Sequence, residues 1–140
     1  MTERKIPLRS QLDPQYTWAT TDLYPTDKDW EAQIPQIQAM VEKLKACKGT
    51  LGKSSQNLLA FLKLEDEFEL LADPFACYAM YKKDQDTRDP NAQKMSGVMM
   101  NLLVQADEAV AFAGPEILVI SDQDMDRFYQ EEPELEHYRL

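Results

Sequence analysis

The chain holds one histidine, two cysteines and four glycines in 140 residues, and each scarcity removes a class of chemistry. A His-Glu-x-x-His zinc site needs two histidines one helical turn apart. His137 stands alone after Glu134 and Glu136 and reads as an ordinary residue of an acidic helix. Phosphate cradles need glycines clustered just before a helix, and the four glycines never form such a loop. There is no Gly-x-Ser-x-Gly elbow, and neither Cys47 nor Cys77 has a histidine near it in sequence, so nucleophilic catalysis finds no support. The two cysteines have no paired spacing, and each falls in a helical pattern. Reduced, buried thiols of a cytoplasmic protein are the plain reading, with a disulfide clamping two helices as the alternative.

Positive charge is also short. Fifteen basic residues face 25 acidic ones, for a net charge of -10. A polyanionic partner requires clustered Lys and Arg, and Arg4, Lys5 and Arg9 make no such patch, so no nucleic-acid partner and no anionic membrane partner is expected. No apolar run approaches the length of a membrane span, and none follows the charges of the N-terminus as a secretory signal requires. The 44% hydrophobic content supports a packed interior, in one domain or one lobe of something larger.

Two aspartate clusters invite comparison with calcium loops. Asp122, Asp124 and Asp126 take the first, third and fifth places, but Arg127 stands where glycine makes the sharp turn and Pro133 where a bidentate glutamate belongs. Asp84, Asp86 and Asp89 fail similarly, with Arg88 at the fifth place. Helix capping and solvated loop charge account for both. No catalytic, cofactor-binding or metal residue is assigned.

What the sequence does contain is helical periodicity. Pro7, Asp13-Pro14 and Pro25 punctuate a stretch without period, which reads as an extended arm over residues 1–25. Thr26 caps a first helix, with Asp29 in the capping-box position, and Trp30, Ile34, Ile37, Val41 and Leu44 form its stripe. This helix is expected from about Asp27 to Lys48 with a kink near Gln33, because Pro35 interrupts it. After a loop at Gly49–Lys53, Ser54 or Ser55 caps a second helix with Leu58, Leu62, Phe68, Leu71, Phe75 and Tyr78, expected to bend or break after Ala72 ahead of Pro74. Asp89-Pro90 starts a third, carrying Met95, Met99, Leu102, Ala106, Ala109 and Ala113 and ended by Gly114-Pro115. Pro115–Ile120 reads as a strand or a helical turn, the turn being favoured because proline starts it and glutamate follows; Ser121 with Asp124 caps a short helix, and Pro133–Leu140 begins another that is unfinished. The fold class is all-α: an antiparallel bundle of three long helices plus short C-terminal helices, over residues 26–140, preceded by the arm. Met95, Met99 and Met100 are core at helical spacing, or else an adaptable peptide surface. Tyr78 and Tyr81 are core-edge aromatics, or else groove-lining residues.

The order of landmarks adds a second line of inference. Tyr16-Thr17-Trp18, Asp22-Leu23-Tyr24-Pro25 and Trp30 come first. Tyr78 and Tyr81 ahead of Asp86-Thr87-Arg88-Asp89-Pro90 follow, then Pro115-Glu116-Ile117-Leu118, then Leu135 to Tyr138-Arg139. Across essentially the whole chain this resembles the N-terminal region of the oligoendopeptidase F family, zinc metallopeptidases of the thimet-oligopeptidase type. The resemblance implies a longer parent whose zinc ligands and water-activating glutamate lie downstream. This chain would then be a noncatalytic lobe, inactive alone, forming one wall of a cleft that admits short peptides. Its partners would be the downstream catalytic domain of the same polypeptide and, in the parent, short peptide substrates. On this reading the aromatics of the Tyr16–Trp30 run pack onto the bundle. The competing expectation is a free-standing acidic helical module that docks a partner helix.

Overall fold

Local capping chemistry sets where the helices start in the computed structural model, which describes residues 6–139. The Thr26 hydroxyl accepts the Asp29 backbone N–H and donates to the Asp29 carboxylate at 2.7 Å, opening α1 (Asp27–Glu31). The expected single helix is in fact two, because a turn at Ala32–Gln33 separates α1 from α2 (Ile34–Ala46). Pro35 lies in the first turn of α2, where its missing N–H has no intrahelical role, so the chain restarts a helix rather than bending one. The apolar stripe survives the break. Trp30, Ile37, Val41 and Leu44 are buried and Ile34 is half-buried.

Gly49 leaves α2 at φ 78°, a left-handed conformation that strongly favours glycine. Ser54 then caps α3 (Ser55–Gln85), accepting the Asn57 N–H. This helix runs unbroken for 31 residues through Pro74, so the break that was one expected outcome after Ala72 does not occur. Proline at position 74 deprives only the Leu70 carbonyl of its helical donor, and Leu70 is 79% exposed, so the freed group is not stranded in the core. Beyond it Phe75, Tyr78 and Ala79 are buried and hold the second half in place.

Asp89 accepts the Asn91 and Ala92 N–H groups, and Pro90 occupies the first turn of α4 (Pro90–Val110). Gly114-Pro115 does not end this helix as expected. α4 stops at Val110, and both residues lie within α5 (Ala113–Leu118), where Pro115 again falls in a first turn that needs no donor. The helical reading of the Pro115 segment holds, with an earlier start. Ser121 accepts the Asp124 N–H to open α6 (Asp122–Glu131). The segment after it is a 3-10 turn, Pro133–Tyr138, that closes at Arg139 rather than a helix left open; Leu140 lies outside the described residues.

The structure is all-α, with no strand among the described residues. α2, α3 and α4 pack on one another. Ile37 of α2 and Met95 and Met99 of α4 share a core with Phe75, Tyr78 and Ala79 near the end of α3, whereas Leu44 shares one with Leu58 and Phe61 near its start. α3 therefore runs antiparallel to both neighbours. Val41, Ala106 and Ala109 close the middle, where small side chains permit close approach. The second core also takes in Leu51, Ala113, Phe128 and Leu135, so α5, α6 and the last turn cover the α3 start.

Distant polar links fix that end. The Ser55 hydroxyl donates to Glu131 at 2.7 Å, Lys63 pairs with Glu134, and the Tyr138 hydroxyl donates to Asp66. That last bond, helped by burial and the charges of Asp66 and Glu134, pushes the Tyr138 phenol up to about 12. Ahead of α1, the described part of the arm is punctuated by 3-10 turns at Arg9–Gln11, Pro14–Tyr16 and Thr20–Asp22.

Candidate functional site

The residues that invited a metal or catalytic reading are dispersed. His137 is exposed. Asp124 is engaged by the Ser121 hydroxyl and by Arg127 at 2.8 Å, while Asp86 is held by Arg88 at 2.9 Å and Asp89 caps α4. No group of three or more His, Cys, Asp or Glu side chains able to hold a metal ion occurs among the described residues. The zinc that the resemblance implies thus finds no donor set among the described residues. Cys47 and Cys77 are free, so no disulfide clamps the helices, and they are half-buried rather than buried. Burial pushes the Cys47 thiol up, which disfavours the nucleophilic thiolate. Met95 and Met99 are core, whereas Met100 is exposed, so the three methionines form no common surface.

What the fold does assemble is a junction between the arm and the helices. Asp27 sits at its centre, accepting from the Tyr78 hydroxyl at 2.7 Å and the Asn91 amide at 3.0 Å, with the Lys82 ammonium at 3.1 Å. One carboxylate thereby ties α1 to α3 and α4. Burial pushes the Asp27 carboxyl up, but the Tyr78, Lys82 and Asn91 hydrogen bonds and the Lys82 charge outweigh it and hold it below the usual carboxylate range. Tyr78 responds oppositely: burial first, then its bond to Asp27 and the nearby acidic charges, raises its phenol. Tyr24 lies edge-on to Tyr78, with ring centroids 5.4 Å apart, anchoring the end of the arm.

Upstream of that anchor the arm is held by its backbone, with Thr20 buried and most other side chains exposed. The Trp18 carbonyl accepts from the Thr20 N–H at 2.9 Å, the Arg9 guanidinium at 3.2 Å and the Gln85 amide at 3.4 Å. The Trp18 ring meets Tyr81 of α3 at 5.1 Å, tilted by 58°. Both rings border a groove of about 530 Å³, lined by Trp18, Ala19, Thr20, Asp22, Leu23 and Tyr81. The expectation that the aromatic run packs onto the bundle holds for Tyr24 and Trp30, holds in part for Trp18, whose ring meets Tyr81 of α3 while staying 55% exposed, and fails for Tyr16, which is 80% exposed. A signal for this was available: Trp30 falls on the helical period of Ile34 and Ile37, whereas Tyr16 and Trp18 belong to no period.

The lining combines two aromatic rings with Ala19, Thr20, Leu23 and the single carboxylate of Asp22. Comparison with known proteins supplies the context. Group B oligopeptidase PepB of Streptococcus agalactiae serotype III (strain NEM316) is 30% identical over 130 residues, covering 93% of this chain and 22% of that protein. Oligopeptidase PepF of Bacillus subtilis (strain 168) is 30% identical over 134 residues, 96% of this chain and 20% of its own length. The crystal structure of oligoendopeptidase-F from Enterococcus faecium superposes with a TM-score of 0.72 at 27% identity, over 81% of this chain and 22% of that one. The chain matches the N-terminal region of oligoendopeptidase F. No family model matches it. The match to oligoendopeptidase F spans about a fifth of the length of those curated relatives. It embraces the arm junction and the helices together, since it covers nearly all of this chain.

Proposed function

We propose that this chain is the noncatalytic N-terminal lobe of a cytoplasmic, zinc-dependent oligoendopeptidase, built as an arm over residues 1–25 and a helical lobe over 26–140. In the parent enzyme the zinc, its ligands and the water-activating base belong to the downstream catalytic domain, and this lobe forms a wall of the cleft in which short peptides are cut. The observation that carries the reading is the coverage: 96% of this chain aligns with only 20% of an oligopeptidase. The physical role of such a wall is steric. A flexible peptide threads between two helical bodies, whereas a folded protein does not enter. The lobe's own residues contribute shape and a net charge of -10, which favours positively charged peptides in the cleft at low ionic strength.

A replacement experiment tests it. The matched region of the Bacillus subtilis oligopeptidase is exchanged for this chain, and hydrolysis of short peptides is measured. Retained, metal-dependent hydrolysis supports the reading. A folded hybrid without activity counts against it.

A further inference from the structure

Exposed apolar side chains are unevenly spread over this acidic chain. Six of the thirteen large ones exposed among the described residues (Ile6, Leu8, Leu12, Tyr16, Trp18 and Leu23) come from the arm. A seventh, Tyr81, touches Trp18, and Leu70, half-buried Pro74, half-buried Cys77 and Tyr81 recur on one side of α3 at helical spacings of four, three and four. Isolated exposed apolar residues are ordinary, but a run of them continuous with an apolar helix stripe marks an interaction surface.

This surface is held in place. The Trp18 carbonyl is fixed by three donors, Thr20 beneath it is buried, and Tyr24 is wedged against Tyr78. Backbone order of this kind lowers the entropy lost on association, and outward aromatics on a fixed backbone are typical anchors of a protein interface. Asp22 is the one carboxylate lining the groove, and such sparse charge suits the dry centre of an interface.

Resting on the reading above, we infer that the arm and the outer face of α3 form the surface on which this lobe docks against the remainder of a longer polypeptide, with Trp18 and Tyr81 at its centre. The length of the relatives specifies the occupant. They carry about four-fifths of their chain beyond the matched part, and a body of that size must meet this lobe over a substantial area. The outward face of α4, with Met100 and Val104, and the Leu118–Val119 corner are left to solvent in this arrangement.

Hydroxyl-radical footprinting of the isolated chain and of the Bacillus hybrid tests the assignment. Oxidation of Trp18 and Tyr81 is expected to fall at least about threefold in the hybrid, while that of Met100 and Leu118 stays unchanged. If Trp18 is oxidised as fast in an active hybrid as in the isolated chain, the inference fails and the reading of the lobe stands. Protection of Met100 with Trp18 left open also overturns it. So does protection of Trp18 that rises with the isolated chain's own concentration, since a second copy would then be the occupant. Protection by added short peptides alone would make the groove a substrate site instead. Should the hybrid fail to fold, the chain added in trans to the Bacillus protein lacking its matched region gives the same footprint comparison, and absence of any protection there counts against the docking face.

Discussion

The indole of Trp30 lies flat against the ring of Phe75, with centroids 4.4 Å and planes 7° apart, and its Nε1–H donates to the Phe75 carbonyl at 2.8 Å. The pair joins the short α1 to α3 immediately after Pro74. Trp30→Phe keeps an aromatic ring and removes the hydrogen bond, so a loss of about 1–2 kcal/mol is expected in urea unfolding. Trp30→Ala removes the stack as well and should cost about 3–5 kcal/mol. Equal losses in the two variants would mean that the stack contributes nothing.

Asp27 gives the junction a pH dependence. Its carboxyl is held below the usual range in the folded chain, so its contribution is present above the unfolded-state value near 3.8 and is lost as pH falls through the lower folded value. Asp27→Asn should destabilise by about 1 kcal/mol at pH 7, since the site is partly open to solvent, and the difference from the parent chain should vanish near pH 2. Thermal melts at the two pH values decide this. A difference that persists in acid would remove the charge from the account.

Glu65 works in the opposite sense. Burial first, then the like charges of Glu69 and Asp66, raises its carboxyl above the usual range. The ionised form is therefore disfavoured by folding, and stability falls as pH rises through the raised value. Glu65→Gln should raise Tm at pH 7 and leave it unchanged at pH 3. A lowered Tm at pH 7 would show an attraction absent from this description.

Glu116 clamps the loop between α2 and α3, accepting the Gly49 N–H and, at 3.3 Å, the Leu51 N–H. Removing the carboxylate in Glu116→Ala leaves both donors without a partner in the protein, and about 1–2 kcal/mol should be lost. Amide exchange at Gly49 and Leu51 should accelerate ahead of exchange in α3. Uniform acceleration throughout would indicate global destabilisation instead.

These contacts also mark the limit of what sequence discloses. Caps are local, and Thr26, Ser54, Asp89-Pro90 and Ser121 each open a helix where the sequence places one. Burial stripes are periodic, so Trp30, Ile37, Val41 and Leu44 were legible together. Proline outcomes were not. Pro35 and Pro115 became first-turn residues and Pro74 an interior one, a choice made by the surrounding packing. The links Asp27–Tyr78, Glu116–Gly49 and Asp66–Tyr138 join residues 51, 67 and 72 positions apart, which no local pattern encodes. The outward display of Trp18 likewise depends on Arg9 and Gln85 meeting its carbonyl.

The central claim is the division of labour between this lobe and a catalytic domain elsewhere, and the purified 140-residue chain tests it most directly. Its zinc content is measured after equilibration with the metal and dialysis, alongside cleavage of a mixed short-peptide library with and without zinc. The account predicts no stoichiometric zinc and no cleavage above the blank. One bound zinc per chain with zinc-dependent peptide cleavage would contradict it.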